Sequence, residues 1–476
     1  MIPLFTLLCN SIPVHLTIRP KHDIIATNTE SNAGLVEMNT AAEVFSFVRR
    51  IHRKGGHMDF IRRHISDVIE KADGSFKGVL LTGARQTGKS TLLRALFPEK
   101  RYVAVDDPFI EEQANGNPNE FMMLNPPPVI YDEVQRAPGL FLFIKIKCDE
   151  SEDRGLFCLS GSQPLELMKN ASESLSGRVC VLELNGLSLR EIQKCRFTDP
   201  FVPTLEYVSK RAGTVLPVEN IWTHIHRGGF PELQDPGVDW SLFFSGYVKT
   251  YLERDVRGLA AVQDLNDFRR FMVAVAARTG QMLNYSNIAD EIGRDAATVK
   301  RWTSILEATG IIFILEPFSS SVLKRAVKTP KVYFRDTGLA SYLTRWLTPE
   351  ALAYGAMSGQ IFETYVITEI IKSYSNRGLD YRYFVSYYRG KDKKKIKTGG
   401  GEIAVESEID FIIEENGVLY PIEIKQASKV SADMTGAFTV LDKIADKKRG
   451  TGAVVCMCPQ PGVLRENVIA VPAWYL

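Results

Sequence analysis

One segment constrains this chain more than any other. Gly78-Val-Leu-Leu-Thr82 is a short apolar run and reads as a buried strand; Thr91 to Phe97 reads as a helix. Between them, Gly83-Ala84-Arg85-Gln86-Thr87-Gly88-Lys89-Ser90 matches GxxxxGK[ST] at every fixed position. Glycines let such a loop wrap until its backbone N–H groups point at phosphate oxygens, and the following helix presents its positive end. Residues Gly83 to Ser90, together with Thr91, are therefore the expected nucleotide-binding set. Lys89 is expected to reach the β- and γ-phosphates, and Ser90 offers a hydroxyl to Mg²⁺. Tyr102 to Val105, Val129 to Tyr131 and Leu156 to Leu159 are further apolar runs alternating with helical stretches, the pattern of a parallel α/β sheet.

The second of these runs ends in Asp132-Glu133. A carboxylate at a neighbouring strand end can hold Mg²⁺ through water, which suits Asp132. Glu133 is placed to polarise the attacking water, an arrangement that favours an ATPase over a small GTPase. The third run ends in Ser160-Gly-Ser162-Gln163, where Ser162 and Gln163 are candidate sensors of the γ-phosphate. Arg178 could respond to that phosphate, in cis or from a neighbouring subunit; an ordinary surface arginine is the competing reading.

Beyond residue 240 the pattern turns helical. Asn284 to Ser286 can cap a helix running to Ile292, and Asp295 can start another, closed by Gly310. The strand-like Ile311 to Leu315 and Val332 to Phe334 follow, which together make a winged-helix pattern. Its second helix would bury Val299, Trp302, Ile305 and Leu306 and expose Thr298, Lys300 and Arg301 to phosphates or base edges. Lys324, Arg325, Lys328 and Lys331 would extend that basic surface or simply be solvated.

Nearer the C-terminus, Glu408 to Ile413, a turn at Glu415-Asn-Gly417, and Val418 to Lys425 read as a hairpin. Alternation puts Glu423 and Lys425 on one face, with Asp410 on the partner strand. Two carboxylates can share a hard divalent cation that activates water, and a lysine can orient the nucleophile. Asp410 and Glu423 are thus candidate metal ligands, and Asp410, Glu423 and Lys425 a candidate catalytic set. Glu363 or Glu369, on a helix spanning 361–372, would add a further acid. The same residues also fit a fold that keeps its carboxylates for structure alone. Arg389 to Gly401 reads as a charged, Gly-rich insertion.

Together these motifs resemble a prokaryotic AAA-type ATPase family whose C-terminal part is winged-helix and then restriction-endonuclease-like. The likeness rests on the phosphate loop, Tyr131-Asp-Glu133, Ser160-Gly-Ser-Gln163 and Ser174-Leu-Ser-Gly-Arg178. It continues through Arg227-Gly-Gly-Phe-Pro231, Tyr251-Leu-Glu-Arg-Asp255, Lys328-Thr-Pro-Lys331 and Tyr333-Phe-Arg-Asp-Thr-Gly-Leu339. The expected fold is α/β: a P-loop NTPase sheet over 58–205, a helical and winged-helix domain over 206–350, and a nuclease-like domain over 351–476. Residues 1–57 fall outside the likeness and read as an extension, with Met58 a candidate start.

The expected ligands are ATP and Mg²⁺, and the expected activity is an ATP-driven switch or motor acting on DNA. The alternative is a regulatory signalling ATPase that binds protein partners or a second copy of itself, with an inactive nuclease-like domain. The 58 basic and 56 acidic residues leave a net charge of +2, so any nucleic-acid surface must be local. No apolar run reaches the ~20 residues of a membrane span. Seven scattered cysteines without a CxxC pair fit reduced thiols, and with them a cytoplasmic setting and no membrane partner. All seven histidines lie at or before His226, which removes histidine chemistry from the C-terminal half. His224 and His226 read as ordinary loop or strand residues.

Overall fold

The computed structural model describes residues 2–9, 12–18, 24–28, 36–38, 60–162, 175–251, 265–318, 329–395, 402–444 and 446–476. The chain divides into two units, Met1–Phe60 and Ile61–Leu476. The first holds an antiparallel sheet of β1 (Ile2–Cys9), β2 (Ile12–Ile18), β3 (Ile24–Asn28) and β4 (Val36–Met38), paired in chain order. The sequence showed no period there, because β1 is a nearly unbroken apolar run rather than an alternation.

The second unit opens on a parallel sheet. Its strands are β5 (Gly78–Thr82), β6 (Arg101–Ala104), β7 (Val129–Asp132), β8 (Phe157–Ser160) and β9 (Val179–Glu183), in the order β6-β7-β8-β5-β9. Both faces are covered, as parallel strands require. Leu80, Tyr131, Phe157 and Leu159 pack on one side, and Val79, Leu81, Ile130 and Cys158 on the other. The carboxyl ends of β5, β7 and β8 therefore converge on one edge. That edge carries the phosphate loop, Asp132-Glu133 and Ser160 to Ser162.

Helices Leu265–Ala276, Tyr285–Ile292 and Ala296–Ala308 follow. Asn284 and Asp295 cap the last two by accepting from Asn287 N (3.1 Å) and Thr298 N (2.8 Å). A small antiparallel sheet, β10 (Gln281–Met282), β12 (Lys331–Phe334) and β11 (Ile312–Leu315) in that order, stands beside them. At two residues, β10 is too short to leave a periodic signal.

The C-terminal part pairs the long helix Ser358–Ser375 with a mixed sheet. Its strands are β13 (Val385–Lys395), β14 (Glu402–Glu415), β15 (Val418–Lys425), β16 (Lys448–Arg449), β17 (Gly452–Cys456), β18 (Gly462–Arg465) and β19 (Val468–Pro472). They run β13-β14-β15-β17-β19-β18, with β16 beside β15. The expected hairpin forms around Asn416 (φ 50°) and Gly417 (φ 77°), both left-handed as a two-residue turn of this kind needs. A 3-10 turn, Tyr381–Tyr383, leads into β13. One expectation needs correcting. Arg389 to Lys395 is no insertion but the continuation of β13, in register with β14 from Arg389↔Glu408 to Lys395↔Glu402. Its lysines hide it from any search for apolar alternation.

One hydrophobic core runs through the middle and C-terminal parts, from Leu189 through Phe268, Trp302, Tyr333, Ile361 and Ile422 to Leu476. The two parts are thus built as one body.

Candidate functional site

The phosphate loop is shaped by backbone that side chains resist. Gly83 sits at φ 139°, and a Cβ there would lie 2.3 Å from the Leu184 carbonyl oxygen. Gly88, at φ 90°, is the N-cap of helix Lys89–Leu96. Gln86 also adopts a positive φ, of 60°. Lys89 is buried and donates to the carbonyls of Gly83 (3.0 Å) and Ala84 (2.9 Å), which keeps its ammonium within the curve of the loop. Thr87 Oγ1 ties the loop to Ala84 O at 2.9 Å. Ser90 is half-buried and Thr91 exposed, both on the first turn of the helix. Arg85 is half-buried.

Asp132, at the end of β7, accepts from Tyr102 Oη (2.6 Å) and from Ser160 Oγ. Burial and the adjacent Asp132 carboxylate push the Tyr102 phenol far up, so it remains a donor. Each Asp132 oxygen keeps a free lone pair, which suits a contact to Mg²⁺ through water. Glu133 lies in left-handed backbone (φ 53°), which turns its carboxylate out of the strand. Ser162 holds it there, donating from Oγ (2.9 Å) and N (3.3 Å), and Gln135 Nε2 donates as well. Gln163 lies outside the described residues.

Arg178 is not brought to this edge. It precedes β9, whose Val179 is in register with Gly78, so it lies at the opposite end of the sheet. Five strand residues separate that level from Gly83, roughly 17 Å at ~3.3 Å per residue. There Arg178 Nη2 and Nε grip Asp149 at 2.9 and 2.5 Å.

Two arginines that spacing did not reveal lie here instead, Arg63 bonded to the loop itself and Arg335 to the segment after β9. Arg63 donates to Thr87 O (2.9 Å), Asn185 O (2.6 Å) and Glu191 Oε1 (3.0 Å). Burial works to raise the Glu191 carboxyl, but Arg63, His64 and two backbone amides hold it down at about 2. Arg335, which follows β12, reaches Glu183 (2.9 Å), the last residue of β9, and Asn185 Oδ1 (2.8 Å) just beyond it. Apart from Thr87, 24 residues from Arg63, these partners lie more than a hundred residues away, so no local pattern announces them.

The motifs of the resemblance also interlock here. Asp336 accepts from Gly229 N (2.7 Å) and caps helix Thr337–Leu343 through Leu339 N (2.8 Å). A Cβ on Gly229 would lie 2.6 Å from Leu187 O, and Gly310 packs against Ala84 of the phosphate loop.

A second constellation forms on the C-terminal sheet. Lys425 Nζ lies 2.6 Å from Glu423 and 3.6 Å from Asp410, and Asp410 accepts from Ile424 N at 2.9 Å. Glu363 joins it from helix Ser358–Ser375, accepting from Tyr333 Oη at 2.6 Å. Burial, and then the nearby Asp410, push both Glu363 and Glu423 up to about 7. Like charges crowded in this way fit a site that takes a hard cation. Glu369 points elsewhere, accepting from Leu189 N (2.8 Å) and pairing with Lys372 (2.8 Å).

Lys331 is not part of an exposed basic surface. It is buried, 3.3 Å from Glu363 and 2.8 Å from Glu408. Lys324, Arg325 and Lys328 lie outside the described residues. Helix Ala296–Ala308 buries Val299, Trp302, Ile305 and Leu306 as expected and exposes Lys300 and Arg301. Thr298 is turned back onto Asp295 (2.7 Å). His224 and His226 lie in helix Ile221–Arg227, not in a loop or strand; the latter contacts Trp346 O at 2.9 Å. Among the described residues, no helix is long and apolar enough to cross a membrane.

Comparison with known proteins bears on the first of these sites. Residues 75–193 match the family model described as an AAA domain. That segment, which holds the phosphate loop, is similar to an AAA domain. Residues 218–350 and 403–476 match two models, each described as a domain of unknown function (DUF8612 and DUF4143). The uncharacterized proteins Rv2008c of Mycobacterium tuberculosis and Mb2031c of Mycobacterium bovis are each 27% identical to the chain over 402 residues. The match covers 83% of this chain and 80% of theirs. Among solved structures, the Walker-type ATPase paby2304 of Pyrococcus abyssi is 16% identical, with a TM-score of 0.38, over 60% of this chain and 96% of that one. AMPPCP-bound DnaA from Aquifex aeolicus is 16% identical, with a TM-score of 0.26, over 51% of this chain and 85% of its own.

Proposed function

We propose that the chain is a Mg²⁺-dependent ATP hydrolase that works as a switch on DNA. In this reading the middle part is a winged helix that contacts the duplex, and the C-terminal part is a restriction-nuclease-like domain. The observation that carries the hydrolase reading is Glu133, turned out of its strand and held by Ser162 at the loop's edge. The loop amides and Lys89 grip the phosphates. Ser90 and Asp132 are the residues to hold Mg²⁺, which when bound neutralises charge on the transferring phosphoryl group. Glu133 orients the attacking water and accepts its proton.

The DNA reading draws on Lys300 and Arg301, exposed on one helix, and on the grouping of Asp410, Glu423 and Lys425. Asp410 and Glu423 are the residues to hold a divalent cation, which would make a bound water more acidic. Lys425 would then orient the nucleophile. Four exposed apolar side chains on successive helices, Phe109, Met123, Leu124 and Leu142, favour the second reading, a regulatory ATPase with a protein partner.

The deciding experiment measures ATP hydrolysis with and without single- and double-stranded DNA, while the same DNA is scored for cuts in Mg²⁺ or Mn²⁺. DNA-stimulated turnover lost in Lys89→Ala, with cutting lost in Asp410→Ala, is the expected result. Turnover indifferent to DNA, with no cutting, would overturn the DNA reading.

A further inference from the structure

The carboxylate site holds two lysines, and only Lys425 comes from its own hairpin. Lys331 and Tyr333 come from β12, in the sheet beside the three helices. Alternation puts them on one face of that strand. Lys331 Nζ sits between Glu363 (3.3 Å) and Glu408 (2.8 Å), with its side chain 5% exposed and the Tyr387 ring centroid 5.3 Å away. Tyr333 Oη donates to Glu363 at 2.6 Å. A buried ammonium with this many fixed partners is an integral part of the site and not a stray surface charge.

Glu363, Glu408, Asp410 and Glu423 are four acids. Clusters of this size commonly hold two divalent ions about 3.5–4 Å apart. Among the described residues, however, no three acidic, histidine or cysteine side chains converge closely enough to hold one ion. The lysines separate the acids into pairs, Glu363 with Glu408 about Lys331, and Asp410 with Glu423 about Lys425. With all four carboxylates ionised, the two ammonium groups leave two negative charges, the charge one divalent ion neutralises.

We propose that Lys331 is a built-in second cation: it satisfies Glu363 and Glu408, so Asp410 and Glu423 take one divalent ion and no second one enters. The proposal rests on reading the Asp410–Glu423 pair as a cation site. It also makes the site composite, because the middle part supplies the residue that sets its ion count.

The test counts Mn²⁺ bound to the nucleotide-free full-length chain, by the loss of the free-ion electron paramagnetic resonance signal. The wild type should bind one ion, which Asp410→Asn loses. Lys331→Met should bind two, and Lys331→Arg, which keeps the charge, one. Where Lys331→Met does not fold by its thermal transition, Lys331→Gln removes the charge while keeping a hydrogen-bond donor, and should also bind two. Two ions in the wild type, or one in the folded neutral variants, would overturn the proposal while leaving the cation site in place. No ion in the wild type, matching Asp410→Asn, would overturn the cation-site reading and the proposal with it.

Discussion

Glu133 has two requirements: a carboxylate in reach of water, and a backbone bent to aim it. The left-handed φ of 53° supplies the second, and the bonds from Ser162 fix the result. Glu133→Gln keeps the shape and loses the base, so phosphate release should fall by about 100-fold or more. Binding of a fluorescent ATP analogue should stay near the wild-type level. Ser162→Ala should slow turnover less, because Gln135 still holds the carboxylate. Equal losses in the two variants would show that Ser162 does more than position Glu133. At this scale the sequence was most informative where spacing along the chain matched spacing in space. The loop from Gly83 to Ser90, Asp132-Glu133 and the Glu423–Lys425 alternation are of that kind. Arg63, Arg335 and Lys331 escaped notice because each meets its partners across folds of the chain. Lys331 was even read as part of an exposed basic stretch.

At the scale of elements, four of the five strands of the P-loop sheet were legible because buried parallel strands are short apolar runs; β9, an edge strand with half-exposed residues that ends in Glu183, was not read. The hairpin at Asn416-Gly417 was legible because its turn residues are specific. β13 was misread beyond Arg389, and β10 and β18 carried too little pattern to be found. The pair Gly228-Gly229 shows what a glycine motif does once folded: it lets Leu187 and Asp336 approach the backbone between them. Leu187 N donates to Gly229 O at 2.6 Å. A Cβ at Gly229 would lie 2.6 Å from Leu187 O and 3.2 Å from Leu187 N. Gly229→Ala should therefore cost about 1–3 kcal/mol through overpacking, read as a lowered thermal midpoint. Gly237→Ala is the control: its Cβ would meet only the Asp235 carboxylate, at 3.3 Å, and the midpoint should move less. A Gly229→Ala midpoint equal to that control would show that the close approach relaxes without cost.

At the scale of the whole molecule, the shared core from Leu189 to Leu476 could not be seen in a sequence that reads as separate modules. It is this core that sets Lys331 among acids from a different sheet. The consequence is a pH dependence with a definite sign. Glu423, held at about 7 by burial and by Asp410, binds a proton in the folded state that it has lost in the unfolded chain at the ordinary carboxylate value of 4.5. Its contribution to stability is therefore full below about 4.5 and is lost as pH rises toward 7. Glu363 acts in the same direction. Glu191, held at about 2, acts oppositely but only below about 4.5, while half-buried His224 and buried His226 are lowered and lose stability as pH falls below the ordinary histidine value of 6.5. Comparing each midpoint with that of Glu423→Gln cancels these backgrounds. The difference, wild type minus variant, should fall as pH rises from 4.5 to 7 in a chelator. Mg²⁺ should restore it above pH 7, where both carboxylates are free to bind and only the wild type gains from the ion. A difference flat across that window would mean that Glu423 ionises as it does in water. Restoration by Mg²⁺ in the variant as well would place the ion elsewhere.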